Sequence, residues 1–247
     1  MVLVQKEVKK VYLWNTKVRP ENKELCFTAN TAGSSIQLHK SNSPTDVTLE
    51  TSTNWSNWTT YTFNDTITLS NIWDKVYWRN TSETTTGFTT GTNNYYYFIM
   101  TWSIAASGNV TSLVNKNCTD TLNWTYCFRN LFYQCSSLTS APSLPATTLT
   151  SGCYYYMFRE CTNLETLPEL PATTLTNYCY YNMFRDCSKI KLSTTQTWEY
   201  QTAYRIPTTW TWTALSDALT YMFDYTWWTF TWTPSINTTY YTSNTLV

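Results

Sequence analysis

Glycine is scarce in this chain, with five residues in 247, and histidine occurs once, as His39. So few glycines leave no phosphate-cradling loop and no G-x-S-x-G turn, and one histidine allows no H-E-x-x-H metal motif. No nucleophile with a base is in view, and neither an enzyme nor a cofactor is expected. Charge of one sign is also lacking: sixteen basic residues balance sixteen acidic ones. That balance gives no electrostatic footprint for nucleic acid or an anionic membrane. Long apolar runs are missing too, since YYYFIM at 95–100 falls far short of a span and MVLVQKEVKK carries charges where a signal peptide needs its apolar region. No membrane insertion and no secretory leader are expected. Paired carboxylates could be drawn as Glu160 with Glu165 or Glu169 with Asp186, but nothing in their surroundings gives a reason for a raised pKa.

What is present is a repeat of 26 residues: CFRNLFYQC at 127–135, CYYYMFREC at 153–161 and CYYNMFRDC at 179–187. A fixed period of this size marks stacked units, none of which can bury its apolar face alone. Cys153, Met157 and Cys161 fall at i, i+4 and i+8, which predicts an apolar stripe on a short helix, at 152–160 and again at 178–186. The following NLETLPEL predicts a short strand. Stacking then places Leu138, Leu164 and Ile190 in one column and Phe132, Phe158 and Phe184 in another. The expected fold class is α+β: a small β-sandwich-like module over 1–102, then over 103–247 a solenoid with one strand and one helix per unit.

The unit CYYYMFRECTNLETLPELPATTL resembles the BspA-type leucine-rich repeats of bacterial surface proteins, which also occur in phage-like genes. The likeness continues upstream through LCFTANTAGSSIQLHKSNSPTDVTLETS and TITLSNIWDKVYWRN, which resemble the β-rich module that precedes such repeats. It implies a leucine-rich-repeat fold and a role in adhesion.

Along the chain, SIQLHK, VTLETS, TYTF, TITL, KVYWRN and NYYYFIM alternate in strand fashion between turn-rich segments. SGNVTSLVNKNCTDTLNWTYC reads as a degenerate first unit that caps the stack. After Lys191 the repeat loses phase, until ALTYMFDYT restores it and FTWTPSI supplies a last strand before the C-terminal cap. Six of the eight cysteines lie on the repeat stripe. Three readings are open for them: buried reduced thiols, disulfides between units, or zinc ligands.

Tryptophan inverts ordinary usage, with thirteen residues against five glycines. Trp55, Trp73, Trp102, Trp198, Trp210, Trp212, Trp227, Trp228 and Trp232 fall where turn chemistry wants glycine, and the resemblance implies glycine in such turns. Some variant genetic codes read UGA as glycine and others as tryptophan, so translation with the wrong code would produce this pattern. The alternatives are neutral aromatic substitution, or a carbohydrate platform built from Trp227, Trp228 and Trp232. Trp58 and Trp78 are expected on strands, while Trp14 and Trp124 remain undecided between these readings. The tyrosines obey the repeat. Tyr155, Tyr156 and Tyr181, with Arg159 and Arg185, form the candidate binding surface, although covering the flank of the stack would also account for the rings.

Two function classes compete. One is a non-enzymatic binding or adhesion protein at a cell surface or on a virion, presenting the repeat surface to a host or neighbouring protein or to a glycan. The other is an architectural spacer or decoration component of a phage or cell-surface assembly.

Overall fold

The computed structural model describes residues 23–42, 46–88, 92–206, 209–210, 217–226, 233–236 and 238–247. Eight strands come first, six of them overlapping segments that alternate in the sequence (β4 by Thr60 alone) and two, β1 and β8, outside those segments: β1 (Leu25–Ala29), β2 (Ser34–Ser41), β3 (Leu49–Ser52), β4 (Thr59–Thr60), β5 (Ile67–Leu69), β6 (Lys75–Asn80), β7 (Tyr95–Thr101) and β8 (Ile104–Ser107). A single 3-10 turn at Val110–Leu113 follows, with the Asn109 side chain accepting from the Thr111 amide. The remaining strands are short: β9 (Leu138–Ser140), β10 (Thr166–Leu167), β11 (Thr174–Leu175), β12 (Leu192–Ser193), β13 (Thr202–Arg205), β14 (Thr209–Trp210), β15 (Thr239–Thr242) and β16 (Thr245–Leu246).

These strands form five sheets among the described residues, the largest in the order β4-β3-β6-β1-β8-β9. Its last pairing, β8 with β9, is parallel and sets Ile104 beside Leu138. The sheet therefore runs from the amino-terminal strands directly into the first repeat unit. One continuous apolar core extends from Leu25 to Tyr240. Within it Trp78 of β6 is fully buried and packs against Phe27, Tyr61 and Phe98.

The α+β expectation fails. Among the described residues there is no α-helix, the structure is nearly all β, and its separate small sheets do not close into a solenoid of one strand and one helix per unit. Segments 152–160 and 178–186, expected to be helical, are chains of tight turns in which every fourth residue is left-handed. Gly152, Tyr156 and Glu160 have φ of 65°, 58° and 63°, and Tyr178, Asn182 and Asp186 have 56°, 52° and 63°. The amides alternate in their partners. Arg159 N donates back to Tyr156 O at 3.2 Å, whereas Phe158 N and Glu160 N donate across to Met183 O and Arg185 O of the next unit, at 3.0 and 2.8 Å. An α-helix satisfies its amides within itself. Here half of them bond the neighbouring unit, among them the amides of the left-handed residues themselves, such as Tyr156 N to Tyr181 O, while the amide that follows each turns back into its own unit, as Met157 N does to Tyr154 O. The spacing i, i+4, i+8 fits this four-residue period at least as well as a helix, which is why the apolar stripe misled.

The same alternation joins residues 126–134 to 152–160, 152–160 to 178–186, and 178–186 to 217–225. Side chains consequently stack in columns. Phe98, Phe132, Phe158, Phe184 and Phe223 lie ring on ring with centroids 5.3 to 5.5 Å apart. Phe128, Tyr154 and Tyr180 form a second stack. Leu138, Leu164 and Ile190 are all fully buried. Gly152 has a specific reason to be glycine: the Tyr126 ring of the preceding unit lies where its Cβ would stand.

The tryptophans divide. Trp55, Trp73 and Trp102 sit in loops with φ of 60°, 73° and 61°, and Trp73, Trp102 and Trp198 are 73%, 68% and 85% exposed. Trp210 lies in β14. Trp212, Trp227, Trp228 and Trp232, and with them the carbohydrate platform, lie outside the described residues, as does Trp14. Trp58, expected on a strand, stands just before β4, under the Arg79 guanidinium at 3.8 Å.

Candidate functional site

The repeat places three kinds of side chain on one outer face of the turn chains. Residues that point inward, such as Cys153, Tyr154, Met157 and Phe158, are buried; Tyr155, Tyr156, Arg159 and Glu160 emerge half-buried. Tyr155, Tyr156, Tyr181, Arg159 and Arg185 are brought together there. Tyr155 stacks on Tyr181 at 4.9 Å with 11° between the rings and lies 4.2 Å from Tyr156. Arg159 covers Tyr156 at 5.0 Å, and Arg185 covers Tyr225 at 5.1 Å.

Residues outside the predicted set complete the face. Arg129 lies 4.4 Å over Tyr155 and 5.5 Å from Tyr126. Tyr133 sits beside Arg159, and Tyr221 meets Tyr181 edge-on. A file of acids runs alongside. Arg159 lies 3.2 Å from Glu160 and 3.9 Å from Asp186, and Arg185 lies 3.5 Å from Asp186 and 3.7 Å from Asp224. Gln134 holds the equivalent place in the first unit and donates to Glu160 at 2.8 Å. Burial pushes the Asp186 carboxyl above its usual range, against the lowering pull of Arg185 and Arg159. Desolvation thus outweighs ion pairing at that position.

One unit reverses the pattern. Units two and three read tyrosine then arginine, Tyr155 with Arg159 and Tyr181 with Arg185, whereas unit one reads Arg129 then Tyr133. The swap removes Arg129 from the acid file. Its Nε is buried without a hydrogen bond, and no carboxylate among the described residues pairs with it. The Nε atoms of Arg159 and Arg185 also lack hydrogen bonds, but theirs lie at ion-pair distance from acids. Aligning the units by eye exposes the Arg–Tyr exchange; its consequence appears only once the register between units is known.

The geometry constrains what Tyr155 can do. Arg129 lies over its ring at 4.4 Å and Tyr181 stacks on it at 4.9 Å, so Tyr155 presents its edge and hydroxyl rather than an open platform. Flat stacking of a sugar needs an exposed ring face.

The cysteines lie behind this face. All eight are free, and those of the repeat are buried. Cys135, Cys161 and Cys187 donate to Phe98 O, Phe132 O and Phe158 O of the preceding layer at 3.1, 2.9 and 3.0 Å. Burial pushes Cys127, Cys135 and Cys179 up to about 12. Among the described residues no group of three His, Cys, Asp or Glu side chains could hold a metal ion. His39 bonds Gln37 at 2.9 Å on β2, remote in sequence from the repeat thiols. Glu160 and Glu165 share no cation, since Glu160 pairs with Arg159 and Glu165 with Lys189, and Asp186 lies against Arg159 and Arg185.

No family model, no curated protein and no solved structure matches this chain.

Proposed function

We propose that this chain is a non-enzymatic binding protein, presented at a cell surface or on a virion, that offers the Tyr–Arg face of its repeats to a protein partner. The observation that carries this reading is the composition and packing of that face. Tyrosine and arginine are enriched in interface cores, and large side chains already fixed by their neighbours lose little entropy when a partner binds. Here the rings are held by one another and by guanidinium groups, at 4.2 to 5.1 Å. The resemblance of the CYYYMFREC units to BspA-type repeats supports the same reading. A protein partner is favoured over a glycan because the stacked faces of Tyr155 are occupied within the chain.

The experiment is selection of a random linear peptide library on the immobilised chain, with binders re-tested against Tyr155→Ser/Tyr181→Ser. Binders lost on that variant support the reading. If none depends on the face, the surface is not a recognition surface and an architectural role takes its place.

A further inference from the structure

We propose that Arg129 is the anchor of this surface, receiving a carboxylate side chain of the partner protein. The inference rests on the binding role proposed above and names the chemistry of its ligand. Two of the three arginines on the face lie against carboxylates of the chain itself, at 3.2 to 3.9 Å. Arg129 does not, because it takes the place of Tyr155 and Tyr181 in the register and stands one turn from the acid file. Its guanidinium is fixed by Tyr126 and Tyr155, which orients the fork without neutralising it. A planar cation preorganised on aromatic rings with unused donors matches a carboxylate in two-point geometry. The complementary charge must then come from outside the described chain. An acidic peptide supplies it on a backbone that can also bond the tyrosine hydroxyls. An acidic sugar would supply the charge but would find no open ring face beside it.

The test uses the peptides selected on the intact chain together with polygalacturonate as an acidic-sugar probe, measured on wild type, Arg129→Gln and Arg129→Lys. Arg129→Gln should weaken face-dependent peptides about tenfold or more, and Arg129→Lys, which keeps the charge but not the fork, should weaken them by less. Those peptides should carry Glu or Asp, and their Gln or Asn counterparts should bind as weakly to wild type as the acidic forms bind to Arg129→Gln. Circular dichroism and the unfolding midpoint of both variants should match wild type. Face-dependent peptides that lack acid, or that ignore Arg129→Gln, would overturn the anchor while leaving the binding role intact. Polygalacturonate bound more tightly than the peptides in an Arg129-dependent way would overturn the protein partner. Absence of any face-dependent binder would overturn both.

A second inference stands on backbone geometry alone: the natural chain carries glycine, not tryptophan, at positions 55, 73 and 102. Among the described residues before Cys118, positive φ is confined to Gly33, Asn42, Trp55, Asn64, Trp73, Trp102 and Gly108. Apart from the tryptophans these are all glycine or asparagine, which tolerate a left-handed backbone. Trp58 and Trp78, expected to be genuine, are not left-handed, and neither is Trp124; Trp198, expected to stand for glycine, is not left-handed either, so the inference does not extend to it. Trp73 follows Asn71, whose amide is held by Asp74 Oδ2 at 2.8 Å in a tight turn. A UGA codon read as glycine accounts for the set. Peptide mass spectrometry of the chain from its native source should give glycine masses at all three positions, and tryptophan mass at any of them would overturn the inference there.

Discussion

Left-handed residues occur in both halves of this molecule, and the two halves hold them by different means. In the amino-terminal loops they are isolated, each held at most by a lone bond such as Trp73 N to Ala29 O at 2.8 Å or Asn64 N to Leu38 O at 3.0 Å, and Trp73 and Trp102 are largely exposed. In the repeats they recur at every fourth position and, Gly152 apart, carry Tyr, Asn, Gln, Glu and Asp. There the conformation is imposed from outside. Glu160 N is drawn to Arg185 O at 2.8 Å, and Asn182 N to Thr220 O at 3.0 Å, so the stack over-determines the backbone. A left-handed residue in the repeats is thus one of a bonded and stacked column, whereas one in the amino-terminal loops stands singly, with no like residue above or below it.

The comparison breaks most completely if the stack itself is lost, and alkali should do this. Burial raises Cys127, Cys135 and Cys179 from 9.0 to about 12. Because the folded pKa exceeds the unfolded one, the folded state holds these protons longer. Their contribution is fully present below about pH 9 and is lost as pH rises to about 12. Equilibrium denaturation between pH 8 and 12 should show stability falling steeply above about pH 9, with alkylation of the repeat thiols following unfolding. A flat profile to pH 11 would mean that the thiols are not held protonated by burial.

Removing one ring from the column is the next largest effect. Phe158 packs between Phe132 and Phe184 at 5.3 and 5.5 Å and is fully buried. Phe158→Ala should cost about 3 to 5 kcal/mol. Hydrogen exchange should then lose protection at the amides of Gln134 and Glu160, which bond the next unit, before it does so at Phe27 in the central β1. Equal loss at both would show that the repeats do not respond separately.

Much of this was legible in the sequence, and the misses have identifiable causes. The phase of Phe132, Phe158 and Phe184 announced their stack, because a repeat places equivalent side chains together whatever its backbone does. The grouping of Tyr155, Tyr156, Tyr181, Arg159 and Arg185 followed from the same phase. The helix did not materialise because an apolar residue at every fourth position is shared by two backbones, and only the partners of the amides distinguish them. Arg129, Glu160, Asp186 and Asp224 were missed as one system because their contacts cross between units. Trp58 was misplaced because its neighbourhood is organised by Asn54, whose Oδ1 accepts the amides of Ser56 and Asn57 at 2.9 and 2.8 Å.

The contrast between the halves sharpens if glycine is introduced in each. Trp73→Gly and Trp102→Gly should each stabilise the fold by about 1 kcal/mol, the relief of a left-handed bulky residue less the greater unfolded freedom of glycine. Trp55→Gly should gain less, since its indole donates to Glu24 at 2.6 Å. Tyr156→Gly relieves the same backbone but forfeits contacts with Tyr155 and Arg159, so its effect should be destabilising. Urea midpoints for the four variants give the comparison directly. A gain at Tyr156 equal to that at Trp73 would show that the stack does not stabilise its left-handed residues.

The smallest expected effect tests the acid file. Asp186 is left-handed at φ 63° and lies between Arg159 and Arg185 at 3.9 and 3.5 Å. Ion pairing alone would make Asp186→Asn destabilising. Burial is the larger influence on this carboxyl and raises its pKa, so the ionised form is less comfortable in the fold than in water. Its contribution is therefore greatest when protonated and declines as pH rises through the carboxylate range. Asparagine removes the charge, keeps the shape and tolerates the left-handed backbone at least as well. Asp186→Asn should accordingly change stability at pH 7 by no more than about 0.5 kcal/mol, within the range of exposed ion pairs, and should flatten the pH dependence between about pH 3 and 6. A loss of about 2 kcal/mol or more at pH 7 would show that the arginines, not the backbone, require an acid at this position.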